Sequence, residues 1–260
     1  MITDSYDTNK KAIIQPVYRK DRAEVEACIV TFSHIVEKYA LDHYPCRTIG
    51  KIESVTGTTP IYQIEWQGKK FAFFKTYIGA PATVGLIEEA LTEIHTNRFV
   101  VFGGCGCLDR EIVHGKVMIP TEAYRDEGTS YHYAPGSDYI SIKNAEVVAD
   151  FMEKSGLPFV MGKTWTTDAF YRETTANFKK RKAEGCLSVE MECSAVQAVC
   201  DFRNVEAYFF FTSGDLLDAP EWDSRKKKDD LSGTQHDYRH FEIALRLADF
   251  IVRRKGTNCG

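Results

Sequence analysis

Several features are missing from this sequence, and each absence excludes a class of protein. No apolar run approaches the ~20 residues that a membrane-spanning helix needs, so no membrane span is expected. The opening stretch, MITDSYDTNKK, is polar and lacks the apolar centre of a signal peptide. Positive charge is not in excess: the net charge is −4, which argues against a nucleic-acid surface. There is no CxxC and no cysteine–histidine group with zinc spacing, although eight cysteines are present. Cys28, Cys46, Cys105, Cys107, Cys186, Cys193, Cys200 and Cys259 are scattered among apolar segments. They read as reduced thiols in the core of a cytoplasmic protein, with no metal centre and no disulfide scaffold. Neither G-x-G-x-x-G nor a P-loop occurs, so neither dinucleotide nor ATP binding is indicated. No linker offers a cut point, and residues 1–260 read as a single domain.

What is present is an ordinary globular composition, 43% hydrophobic and 27% charged, which is ample for a buried core. The most informative stretch is Leu187–Phe202, LSVEMECSAVQAVCDF. It opens as a short apolar strand and continues as a helix with small and apolar residues on one face. Glu190 and Glu192 stand at the junction, with Met191 between them. In extended backbone, residues two apart point to the same side. Strand ends are where ligands of α/β proteins bind. A carboxylate there can accept two hydrogen bonds from a vicinal diol such as that of ribose. A solvated strand end would carry the same two residues, so both readings stand at this point.

The rest of the chain alternates strands and helices. Ala27–Phe32 reads as a buried strand, followed by a helix that Ser33 can cap, with Val36 and Tyr39–Ala40 inward. Ile61–Trp66 and Lys70–Tyr77 flank Gln67-Gly68-Lys69 as a hairpin. Gly79–Ala82 breaks the chain and starts a helix running to about His95. Phe99–Phe102 is a strand, and Val117–Pro120 and Glu122–Asp126 read as two more short ones. Arg125–Tyr133 reads as a polar, aromatic loop in which His132 is a hydrogen-bonded loop residue. Asn144–Ser155 is an amphipathic helix, Phe159–Lys163 a strand, and Thr175–Glu184 a charged surface helix. Val205–Phe211 reads as a central strand, Arg225–Asp230 as a solvated charge run, and Phe241–Arg253 as a closing amphipathic helix. The alternation predicts an α/β protein, and the hairpin predicts a mixed sheet.

Two strand ends carry further candidates. Gly103-Gly104-Cys105-Gly106 follows Phe102 and reads as a glycine-rich loop, either a backbone cradle for a ligand or a turn that packing requires. Asp215, in Thr212-Ser213-Gly214-Asp215, ends the last strand. It suits a general acid in the crevice, and equally a turn or capping aspartate.

Five segments together resemble the nucleoside phosphorylase-I family. They are GGCG (Gly103–Gly106), RDEGTSYHYAP (Arg125–Pro135), GKTWTTDAFY (Gly162–Tyr171), VEMECSA (Val189–Ala195) and SGD (Ser213–Asp215), of which the VEME segment is the most specific. The resemblance runs from about Cys28 to the C-terminal helix. It implies a three-layer α/β/α sandwich around a mixed central sheet. It also implies a homo-oligomer, dimer or hexamer, that cleaves the N-glycosidic bond of a nucleoside without a cofactor, using inorganic phosphate as co-substrate. By residue, Met191 and Glu192 hold the ribose, Glu192 takes the diol, and Glu190 lines the same pocket. Cys105 and Gly106 belong to the substrate site, and Phe170 stacks on the base. Asp215 aligns with the aspartate that purine-specific members use to protonate N7. Uridine phosphorylases instead grip uracil with a glutamine and an arginine, at positions that hold Thr174 and Ala176 here; Arg172 is out of register. A purine base is therefore expected.

The departures concern phosphate. Ile35, Gly57 and Val101 stand where the family carries arginines, and Gly104 stands at the hydroxyl position. Each lost charge-assisted contact costs about 1.5–3 kcal/mol. Gly104, Lys75 and Arg125 are the expected phosphate contacts, with His34 and Arg47 as further replacements. Three readings follow: a phosphorylase with a relocated phosphate site, a nucleoside hydrolase using water, and a nucleoside-binding protein without turnover.

Overall fold

The computed structural model describes residues 1–9, 11–113, 115–218, 223 and 233–256. The Arg225–Asp230 charge run and Cys259 lie outside them. Among the described residues, ten strands form the main sheet: β1 Ala27–Thr31, β2 Cys46–Ser54, β3 Gly57–Trp66, β4 Lys69–Lys75, β5 Arg98–Cys107, β6 Val117–Asp126, β7 Tyr139–Ser141, β8 Phe159–Thr167, β9 Cys186–Glu190 and β10 Glu206–Leu216. The helices used below are α1 His34–His43, α2 Ala80–Glu93, α3 Ala145–Lys154, α4 Thr175–Ala183, α5 Cys193–Arg203 and α6 Gly233–Gly256.

The strand order is β9-β8-β6-β10-β5-β1-β4-β3-β2, with β7 paired to β6. The centre is parallel, the β2-β3-β4 meander is antiparallel, and β10 meets β6 antiparallel, so the sheet is mixed as expected. The meander turn is tight because Gln67 and Gly68 both adopt positive φ, 50° and 74°, the primed geometry that matches strand twist.

The aromatic run in β10 shows why there are three layers. Successive side chains alternate between faces. Phe209 and Phe211 join Cys28, Val30 and Val101 under α2 and α5. Tyr208 and Phe210 join Ile29, Val100 and Phe102 under α1, α3 and α6. Because helices cover both faces, the central strands read as unbroken apolar runs rather than alternating ones. Each buried phenylalanine contributes roughly 1.5–3 kcal/mol.

Several boundaries differ from expectation; β8, for one, runs on to Thr167 rather than ending at Lys163. The glycine run is not a loop: β5 continues through Gly103–Gly106 to Cys107. β10 likewise continues through Ser213-Gly214-Asp215 to Leu216. The two short strands expected at 117–126 are one. Glycine and proline lower local strand propensity, but the neighbours supply hydrogen-bond ladders that override it. The sheet also curls until β9 pairs antiparallel with β5, at Val189↔Gly106 and Ser188↔Cys107. Strands β5, β10, β6, β8 and β9 thus close a ring at one end of the sandwich, which brings the candidate segments together.

Candidate active site

The ends of β5, β9 and β10 open into a cleft of about 1410 Å³. Four devices place its side chains. The first is a bulge: Ser213 pairs with Cys105 and Asp215 with Gly106, so Gly214 is one residue too many on β10. A bulge re-aims the side chain beside it, and Asp215 lines the cleft. The second is the glycine opposite. A Cβ on Gly106 would lie 2.7 Å from Leu217, 2.8 Å from Val189 and 3.4 Å from Asp215 Oδ1. A side chain here would have to push the Leu217 and Val189 methyls aside, and the glycine, which also borders the cleft, avoids this.

The third device is the β9–α5 junction. Helix α5 has Glu192 at its N-cap without a side-chain capping bond, which leaves N–H groups of its first turn in need of acceptors. Glu190 supplies them: it accepts from the Glu192 and Cys193 N–H groups at 2.7 and 2.6 Å. Its other oxygen accepts from the Thr166 hydroxyl at 2.6 Å and from the Thr164 hydroxyl at 3.4 Å. Thr166 in turn accepts from the Ser194 N–H at 3.1 Å. The Glu190 carboxylate is therefore a brace for the junction, although the residue borders the cleft as expected. Burial pushes it up to about 7, against hydrogen bonds that favour the ionised form.

Glu192 is held differently. One oxygen accepts from the Gly79 N–H at 2.6 Å. Gly79 caps α2 with φ 103°, a conformation that favours glycine, and so presents its N–H to the carboxylate. Burial, and then the charge of Glu190, push Glu192 up to about 8. Met191 lies between them on the cleft wall.

The fourth device is the turn Phe170–Arg172, which presents Phe170 half-exposed to the cleft, its ring 4.2 Å from that of Tyr171. Cys105 borders the cleft as well, but burial holds its thiol well above the ordinary range, so it stays protonated.

The expected phosphate residues do not converge. Gly104 borders the cleft. Arg125 does not: it is buried, with its guanidinium donating to Ser130, Ser137 and the Ala134 and Pro135 carbonyls, 4.0 Å from the Tyr131 ring centre. It locks the loop that follows it. Lys75 also lies outside the lining, with its ammonium 5.1 Å from the centre of the Tyr77 ring and its charge felt by Glu37. Val101 is in the core. Among the described residues that line the cleft, Lys179 is the one lysine or arginine. Sequence reasoning also missed Gly79, Thr166 and Glu173. Gly79 had a signal in its place before an Ala-Pro helix start, and Thr166 in its same-face spacing from Thr164. Glu173 had none.

A family model described as the phosphorylase superfamily matches residues 28–236. The chain belongs to this superfamily. Its curated relatives include purine nucleoside phosphorylases. A purine nucleoside phosphorylase of the DeoD type from Alkaliphilus metalliredigens is 26% identical over 191 residues, 71% of this chain and 78% of that protein. One from Exiguobacterium is 25% identical over 170 residues, 63% of this chain and 70% of that protein. Two solved structures share the fold. Purine nucleoside phosphorylase from Toxoplasma gondii, in complex with immucillin-H, has a TM-score of 0.73 at 17% identity, covering 94% of this chain and 99% of that one. AMP nucleosidase from Bacteroides thetaiotaomicron has a TM-score of 0.68 at 18% identity, covering 89% and 90%. The resemblance read from the five segments is thus borne out, as is the α/β nucleoside phosphorylase fold. No described helix is long and apolar enough to cross a membrane.

Proposed function

We propose that this protein cleaves the N-glycosidic bond of a purine nucleoside. The observation that carries this reading is the convergence of Asp215, Glu192 and Phe170 on one cleft from three separate segments. Phe170 offers a ring face to the base. Glu192, with one oxygen fixed by Gly79, takes the ribose hydroxyls. As the bond from C1′ to N9 breaks, its electron pair goes to the base and the sugar becomes cationic. Asp215 delivers a proton to N7, so the base leaves neutral. Inorganic phosphate then attacks C1′, giving free base and ribose 1-phosphate; the two relatives of the DeoD type support phosphate as the acceptor. No metal or organic cofactor enters these steps. A second reading, hydrolysis by water, is favoured by one observation: the cleft lining contains no arginine among the described residues.

The test is base release from a panel of purine and pyrimidine nucleosides, with and without phosphate. Phosphate-dependent release with sugar 1-phosphate as product supports phosphorolysis; equal release without phosphate moves the reading to hydrolysis. Replacing Asp215 by Asn is expected to lower kcat/KM on purine nucleosides by ~10²–10⁴-fold at unchanged melting temperature. Activity confined to pyrimidine nucleosides would overturn the role of Asp215. Ligand-dependent stabilisation without product would leave a binding protein.

A further inference from the structure

Glu173 enters the cleft at a place that the chemistry above leaves unassigned. It follows the Phe170–Arg172 turn, and its backbone is held on both sides. Its own N–H donates to the Phe170 carbonyl at 3.2 Å. Thr174 caps α4, its hydroxyl accepting from the Asn177 N–H at 3.4 Å. The direction in which Glu173 leaves the chain is therefore set by the turn and the helix cap together. Phe170 and Asp215 border the same cleft. Burial, and then the charge of Asp215, push Glu173 up to about 7, so the two carboxyls sense one another. The other titratable groups bordering the cleft are Lys179 on α4, Asp218 after β10, Tyr171 on the turn, Cys105 on β5, and Glu190 and Glu192 at the β9–α5 junction.

We propose that Glu173 is a specificity-determining residue that reads the 6-substituent of the purine. The proposal rests on Asp215 acting at N7. In a purine, N7 and the 6-substituent share one edge, so with Asp215 at N7 the Glu173 carboxyl, which borders the same cleft, is placed to meet the next group along that edge. An ionised Glu173 accepts a hydrogen bond from a 6-amino group and repels a 6-oxo group. A protonated Glu173 donates to a 6-oxo group. Burial, and then the charge of Asp215, favour the protonated form of Glu173 at the lower pH. The preference for a 6-amino over a 6-oxo purine nucleoside therefore rises with pH.

The experiment measures kcat/KM for adenosine and for inosine from pH 5.5 to 8.5, with phosphate present, in the wild-type protein, Glu173→Gln and Glu173→Asp. The ratio of the two substrates cancels any pH effect common to both. The expected result is a ratio rising ~10-fold or more between pH 6 and 8 in the wild-type protein, retained in Glu173→Asp and flat in Glu173→Gln. A flat wild-type ratio overturns the proposal, as does an unchanged slope in Glu173→Gln. The wild-type profile decides even where a variant fails to fold. If the wild-type protein releases base from neither nucleoside, with or without phosphate, the functional reading has failed first and this inference falls with it; cleavage of both at a constant ratio removes the inference alone.

Discussion

Arg125 illustrates how a single residue changes meaning between sequence and structure. In a search for phosphate ligands, an arginine in a polar, aromatic segment is a natural candidate. In the fold it is buried, and its donors meet two carbonyls and two serines of the segment it begins. Replacing it with Met leaves those acceptors without their donor, and the expected cost is about 2–4 kcal/mol. Thermal unfolding measures this. A raised KM for phosphate at an unchanged melting temperature would instead return Arg125 to the phosphate site. Gly106 makes the complementary case, because there the absence of a side chain matters. Gly106→Ala forces Leu217 and Val189 apart and crowds Asp215. The expected effects are about 1–3 kcal/mol of destabilisation and a fall in kcat, since a small displacement of the acid proposed to act at N7 is costly.

At the scale of elements, the β9–α5 junction sets a pH dependence. Glu192 is held near 8 in the folded state against an ordinary value of 4.5. Below about 4.5 both folded and unfolded states hold the proton, and the contribution is fully present. Between about 4.5 and 8 the folded state keeps a proton that the unfolded state has released, so stability falls as pH rises. Glu190 and Glu173, each pushed up to about 7, act in the same direction. The melting temperature is therefore expected to decline from pH 5 to pH 8. Glu192→Gln keeps an acceptor for the Gly79 N–H, removes the titration and should make that decline shallower. A melting temperature that rises across this range would show that the hydrogen bonds to these carboxylates outweigh their burial.

At the scale of the molecule, the cleft is open, and apolar side chains stand at its rim. Ile78 is 68% exposed and Tyr171 89%, both on the lining, and Tyr77 beside Ile78 is 42% exposed. These exposed apolar side chains beside the cleft are expected to be covered by a second copy. Light scattering on the purified protein should give a mass of at least two chains; a monomer would mean that another partner covers the rim.

The central strands and most helices were legible in the sequence, because apolar runs and helical spacing are local signals. Ser33 and the Gln67-Gly68 turn could be read for the same reason. Glu190, Met191, Glu192, Phe170 and Asp215 were also picked out, and they border one cleft. By itself the sequence thus determined the fold class, the family and the cleft's main side chains. Tertiary structure alone decided the rest. It decided that GGCG and SGD are strand rather than loop, because their hydrogen-bond partners lie over 100 residues away in the chain. It decided that Glu190 braces a helix while Glu192 meets Gly79, because two residues of the same type differ only in the donors that folding brings to them. It also decided that Arg125 is a lock and that Glu173 is a cleft residue. What a charged side chain does depends on which distant groups surround it, and no local pattern carries that information.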